Sequence, residues 1–431
     1  METEVVNGLL TLKFNMIQTV ALGVIMYYFG VFFRNKVHLF VKLSIPASAI
    51  GGLATAFFIA FLRYKNIIGV HFDLTLQNML MIMFFCTVGM NASYKLLMKG
   101  GLLIIAFWVI CASLAALQNI VGFLVTKVLG MNTLLGIISG SVSMMGGLGT
   151  VGTFGNFFEN AFKANGAVEA GVTCATLGMV AGSALGGPLA EWIIRKHRLT
   201  TPHTELIGQS KSSKSDQSSD YEEVGAFVQE EGMLLDPLDE KEDFVNGPHL
   251  MKNLSLVLVA MGFGSVISYY FNKTGILLPA YLVTMLVAVF FRNIGDFSKL
   301  IKIDTKAIGM ISDVSLAIFV TMVIMSLNLP QLLELVFPIL IIMVIQIILV
   351  LIIAYFGVFY LLGKDYEAVV MSAGLVGFGL GATPNALANM QTLMLKHGKT
   401  SKAFFVVSIV GAFLIDFTNA ILIIFFIGIA K

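Results

Sequence analysis

Apolar residues in this chain gather into runs of about twenty, separated by short polar breaks, so each run is long enough to cross a hydrocarbon core of about 30 Å as a helix. A β-barrel would instead show short segments of alternating polarity. The runs predict helices at about Phe14–Phe33, Ser44–Leu62, Leu74–Ser93, Gly101–Leu129 and Val168–Arg195. Five more follow at about Leu250–Phe271, Ile276–Phe291, Lys306–Leu327, Leu335–Leu362 and Lys402–Ile429. Two apolar stretches break the pattern, at about Thr133–Phe158 and Asp365–Leu395. In the second, Gly374, Gly377, Gly379 and Gly381 crowd together ahead of Pro384 and Asn385. Glycine and proline weaken a helix, and broken backbone survives in a bilayer only where protein buries it or water reaches it. Such a stretch is either a re-entrant segment lining a polar path or a glycine-rich helix packed tightly on a neighbour.

The pattern repeats. A shift of 233 places Pro46 on Pro279, Gly130 on Gly363, Gly146 on Gly379, Thr150 on Thr383 and Gly178 on Gly411; with small gaps Asp73 falls on Asp304 and Gln118 on Gln346. Five spans per copy is an odd number, so the two copies enter the membrane in opposite senses. Inverted repeats with discontinuous segments at matching positions are the architecture of secondary transporters, which makes packing alone the weaker account of the two breaks. The expected fold is an all-α polytopic membrane protein of two inverted repeats, each with five transmembrane helices and a re-entrant glycine-rich hairpin. Residues 1–196 form the first repeat and 250–431 the second. Between them, 197–249 holds a serine-rich run and twelve of the 25 acidic residues, too polar to fold alone, and reads as a soluble linker.

Composition adds little beyond this: 57% of residues are hydrophobic and 12% charged, with a net charge of +2. Charge placement says more. With the N-terminus outside, 17 of the 27 Lys and Arg fall on the inner side, seven outside and three in the linker. The positive-inside rule then puts both termini outside and the linker in the cytoplasm. The acidic start, with Glu2 and Glu4, does not read as a cleavable signal. Cys86, Cys111 and Cys174 all lie in apolar runs and read as small core residues.

The broken segments carry the candidate chemistry. Helix N-termini attract anions, and C-terminal carbonyls coordinate cations. On the first segment Ser141, Ser143, Gly146, Gly147, Gly149 and Thr150 are substrate-site candidates; on the second they are Gly379, Gly381, Thr383, Asn385 and Asn389. Each hydroxyl either ligates or bonds back to its own helix. Asp416, mid-helix with Asn419 one turn on, is the leading cation ligand, against a carboxylate satisfied by neighbouring helices. Asp313 is a second acidic candidate. Gln118, Asn119 and Asn91 either line the cation path or join helices, and Gln346 fits the latter role better.

Val376-Gly-Phe-Gly-Leu-Gly-Ala-Thr-Pro-Asn-Ala-Leu-Ala-Asn-Met-Gln391 resembles the signature of the bacterial sodium/glutamate symporters. So do Val410-Gly-Ala-Phe-Leu-Ile-Asp-Phe-Thr-Asn-Ala420, Cys174-Ala-Thr-Leu-Gly-Met-Val180, Phe84-Phe-Cys-Thr-Val-Gly-Met-Asn91 and Gln118-Asn-Ile-Val-Gly122. The resemblance implies sodium-coupled glutamate uptake at the bacterial inner membrane, with sodium as coupling ion and no other cofactor. It also implies homodimers and an elevator-like movement. The chain departs from the family pattern at Leu148 and Leu375, where histidines are usual, and at Asp313, where an asparagine is. A carrier of the same fold for another organic anion or amino acid, coupled to sodium or protons, is the alternative. An intramembrane enzyme is disfavoured: no Gly-X-Gly-Asp motif is present, and all six histidines sit in loops or at helix ends.

Overall fold

The computed structural model describes residues 2–6, 9–42, 45–94, 101–202, 247–273, 280–298 and 303–430. Most of the expected linker, and Pro279 of the repeat, lie outside the described residues. The helices are α1 (Met16–Lys36), α2 (His38–Lys42), α3 (Ala47–Tyr64), α4 (Thr75–Asn91), α5 (Gly101–Val128), α6 (Thr133–Ile137), α7 (Gly147–Phe162) and α8 (Ala167–His197). After the gap come α9 (Gly247–Lys273), α10 (Ala280–Ser298), α11 (Thr305–Met325), α12 (Leu329–Ile352), α13 (Tyr366–Gly379), α14 (Thr383–His397), α15 (Ser401–Ile409) and α16 (Ile415–Ala430). Wider π-helical turns continue α6 (Ile138–Val142) and α12 (Ile353–Phe359), and join α15 to α16 (Val410–Leu414).

Among the described residues, eight helices are long and apolar enough to cross a membrane, against the ten expected. The other two expected spans have plain reasons for falling short. At 17 residues α4 is about 25 Å long at 1.5 Å per residue. The last span is divided by its π turn. The chain is a multi-pass membrane protein.

Polar side chains secure the starts of several helices. Asn15 and Gln18 cap α1 reciprocally, each side chain accepting from the other's backbone N–H. Asp73 accepts from Thr75 N at 3.0 Å ahead of α4, and Asp304 accepts from Lys306 N at 3.0 Å ahead of α11. These two aspartates, matched by the repeat, thus do the same local work.

The expectation of an all-helical chain needs one correction. Residues Glu2–Val6 and Leu9–Phe14 form an antiparallel hairpin (β1, β2), and β2 pairs in parallel with β3 (Gly69–Phe72), Phe14 opposite Phe72. The alternation in Leu-Thr-Leu-Lys-Phe carries that strand signal.

The helices pack in two groups. One gathers α1, α3, α4, α9, α10 and α11; the other gathers α5 to α8 with α12 to α16. Each group takes its members from both halves of the chain. They meet where α7 crosses α11: a Cβ added to Gly152 would lie 2.7 Å from Phe319 Cζ and 2.8 Å from Val323 Cγ2.

Candidate substrate and cation site

Both broken segments are pairs of short helices meeting at a tip in the second group. In the first, the backbone leaves helical geometry at Gly140 (φ −92°, ψ −130°), which frees the N–H of the next residue from the helix ladder, while its carbonyl still accepts from Met145 N and Gly146 N. Two asparagines bind this residue. Asn119 Oδ1 accepts from Ser141 N at 3.0 Å, and Asn419 Nδ2 donates to Ser141 O at 3.0 Å. In the second, α13 ends at Gly379, whose carbonyl accepts from Gln118 Nε2 at 2.8 Å. Consecutive residues of α5, Gln118 and Asn119, therefore each secure one of the two breaks. Gln346 Nε2 donates to Gln118 O at 2.8 Å and holds that turn of α5 to α12.

The tips touch. Gly147 has φ +64°, a left-handed conformation natural to glycine, and a Cβ added there would lie 2.9 Å from the Gly381 carbonyl oxygen. At this point α7 and α14 both begin, and neither N-cap, Gly146 nor Ala382, offers a side-chain cap. The first N–H groups of a helix have no partner within it. Two uncapped N-termini side by side form a ready anion-binding surface.

Beside that surface lies a set of buried polar atoms without hydrogen-bond partners: Gln118 Oε1, Asn119 Nδ2, Ser141 Oγ and Asn419 Oδ1. Leaving such an atom buried and unpaired costs about 1–3 kcal/mol, so the set is poised for a ligand. Among the described residues no group of three or more His, Cys, Asp or Glu gathers anywhere. Neutral oxygens with at most one carboxylate suit a hard monovalent cation better than a transition metal.

The remaining sequence candidates divide. Asp416 is half-buried one turn before Asn419 on α16, and among the described residues no hydrogen bond ties its carboxylate. Asn385 Nδ2 donates to Met179 O at 3.0 Å, and Asn389 Nδ2 to Gly182 O at 2.9 Å, so both clamp α14 to α8. Thr383 Oγ1 donates to Gly411 O at 2.8 Å. Thr150 Oγ1 bonds back to Gly146 O at 2.9 Å, and Ser143 Oγ to Gly140 O at 3.5 Å. Gly149 faces Phe84 and Leu316 of the other group. Asn91, half-buried with an unpartnered Oδ1, and Asp313, exposed, belong to α4 and α11 and are not joined to the network at Ser141.

Sequence reasoning passed over Gly178 and Gly182 as part of the site. Gly178 lies against the Leu380 carbonyl, and Gly182 lies near those of Val376 and Gly377. Their signal is the spacing Gly178, Gly182, Gly186, small residues every fourth position on one helix face.

A family model described as sodium/glutamate symporter matches residues 12–399. The protein named sodium/glutamate symporter in Haemophilus influenzae is 32% identical over 412 residues, covering 95% of this chain and 96% of that protein. Its namesake in Escherichia coli (strain K12) is 31% identical over 391 residues, covering 90% and 91%. The chain belongs to the sodium/glutamate symporter family, a family of membrane transporters and not of enzymes.

Proposed function

We propose that the protein takes up glutamate together with sodium. The observation that carries this is the meeting of two uncapped helix N-termini, at Gly147 and Thr383, beside the unpartnered oxygens of Gln118, Ser141 and Asn419. The N-termini receive the carboxylates of the substrate; the oxygens, with Asp416 a turn away, receive sodium. An anion and a cation at adjoining sites neutralise one another, so each raises the affinity for the other, and this is coupling in thermodynamic form.

The two packing groups supply the moving parts. The halves of the chain are inverted repeats, and the two helix pairs are re-entrant hairpins entering from opposite faces. The group built on α5 to α8 and α12 to α16 carries the site. The group of α1, α3, α4 and α9 to α11 is the scaffold it moves against, in a homodimer. Both termini face outward and the central linker faces the cytoplasm of a bacterial inner membrane, as the Lys and Arg distribution supports.

Proteoliposomes loaded with the purified protein test the reading: labelled glutamate accumulates under an inward sodium gradient and not under an equal potassium gradient. Uptake indifferent to the gradient rejects the coupling. A second reading, another organic anion or a proton in place of sodium, rests on Leu148. It is an apolar, buried side chain next to the tip glycines, where the family pattern carries histidine. Competition by a panel of amino acids and dicarboxylates separates the two, with glutamate the best competitor under the first.

A further inference from the structure

At the far end of α8 from Glu169, the last two turns run beside the π turn of α12 and leave a groove of about 490 Å³. Pro188, Glu191, Trp192, Arg195 and Lys196 line it. Lys196 Nζ sits 4.3 Å from the centre of the Trp192 ring and 4.9 Å from that of Tyr355, and Trp192 and Tyr355 pack at 5.2 Å. Beyond the lining, Lys364 Nζ lies 4.8 Å from the Tyr360 ring, which itself packs on Tyr355 at 5.2 Å. Arg195, Lys196 and Lys364 are exposed, and no ion pair engages them among the described residues. Glu191, the acid in the lining, is already held by Lys396 at 2.7 Å and His397 at 2.9 Å. Its charge is therefore spent on α14 and does not neutralise Arg195 or Lys196.

We propose that this groove binds the anionic headgroup of a phospholipid. Rings of Trp and Tyr with Lys and Arg at the ends of spanning helices mark the level of the headgroups. Basic pockets between such helices hold anionic ones. Trp192 is 47% exposed and Phe356 56% exposed on the bilayer side of the groove, which gives the acyl chains of the same lipid a surface to follow. Cations resting on aromatic faces are held in place before the lipid arrives. The site depends on α8 and α12 spanning the bilayer and not on the identity of the transported solute.

The chain has two tryptophans. W108F thus leaves Trp192 as the sole reporter, in the full-length protein reconstituted into nanodiscs. Phosphatidylglycerol brominated near its headgroup quenches Trp192 up to roughly thirtyfold more per mole than the matching phosphatidylcholine, the enrichment expected for two cations beside one anionic lipid. R195Q/K196Q in the W108F background brings the two lipids to parity, while K399Q leaves the preference intact. If the double variant does not reconstitute, K196Q alone carries the comparison, with a smaller loss. Equal quenching by the two lipids in the parent protein overturns the proposal, as does a preference that survives R195Q/K196Q. Abolition of the preference by millimolar inorganic phosphate also overturns it, because the site would then take free phosphate in place of a lipid.

Discussion

The two helix pairs occupy matching places in the two halves of the chain and are packed in opposite ways. In the first pair, α7 lies with Gly149 on Phe84 and Leu316 and with Gly152 on Phe319 and Val323, so its face toward the other packing group is filled. In the second, α14 is clamped to α8 by Asn385 and Asn389, while Pro384, Ala388, Gln391, Thr392 and Leu395 form an exposed stripe down its other face. Equivalent elements in one molecule are thus packed differently, one filled against the other helix group and one with an exposed face. Under the proposed transport cycle, the pair that is sealed here is the one expected to open in the other state.

The strongest break of this comparison is steric. Gly152→Leu has no room against Phe319 and Val323; overpacking of this kind costs about 1–3 kcal/mol or more, and it should sharply lower the yield of folded protein in detergent. Ala388→Leu, on the open stripe, should fold normally, with a stability within roughly 0.5 kcal/mol of the parent. Equal damage from both would mean that the two pairs are equally packed.

The next effect falls on the site. Asn119→Ala strands the Ser141 N–H in the interior at about 1–3 kcal/mol, and the sodium concentration for half-maximal uptake should rise by about tenfold. Asp416→Asn should shift the same titration while leaving thermal stability close to the parent. An unmoved sodium curve removes Asp416 from the cation path. Asn385→Ala loses one bond to Met179 O, a change of about 1 kcal/mol, and is expected to slow uptake with an unaltered sodium curve, since that side chain bonds α8 and not the polar atoms around Ser141.

The smallest effect serves as the control outside both pairs. The hydroxyl and N–H of Thr75 hold the Asp73 carboxyl below its ordinary value of 3.8. A depressed folded value stabilises above the unfolded one, so the contribution is present at neutral pH and fades as pH falls below about 4. Asp73→Asn should slightly lower the melting temperature at pH 7 and leave it unchanged near pH 3. A difference that grows with acid would reverse the sign of that linkage.

Helix existence and the two breaks were legible in the sequence because membrane burial demands long apolar runs and punishes loose backbone. Asp73 and Asp304 show how far the repeat could be read: matched with small gaps, each accepts from the backbone N–H two residues on, at the start of matching helices. The parts that stayed hidden depend on long-range pairing. The bond from Gln118 to Gly379 joins residues 261 positions apart, and no local pattern announces it. Ser143 and Thr150 are ligand candidates whose hydroxyls bond back to their own helices, a detail of backbone geometry that residue type alone does not reveal. The π turns left no periodicity to notice, and the first strand was too short and too near a spanning segment to stand out.

Strands β2 and β3 have a further use. Because β2 leads into α1 while β3 leads into α4, the ladder from Thr11–Gly69 to Phe14–Phe72 fastens the start of α1 to the start of α4 rung by rung. The separation between these two helix ends is set by backbone pairing. A pair of probes across β2 and β3 is therefore a built-in length standard, against which displacements of α7 and α14 can be measured in the same molecule.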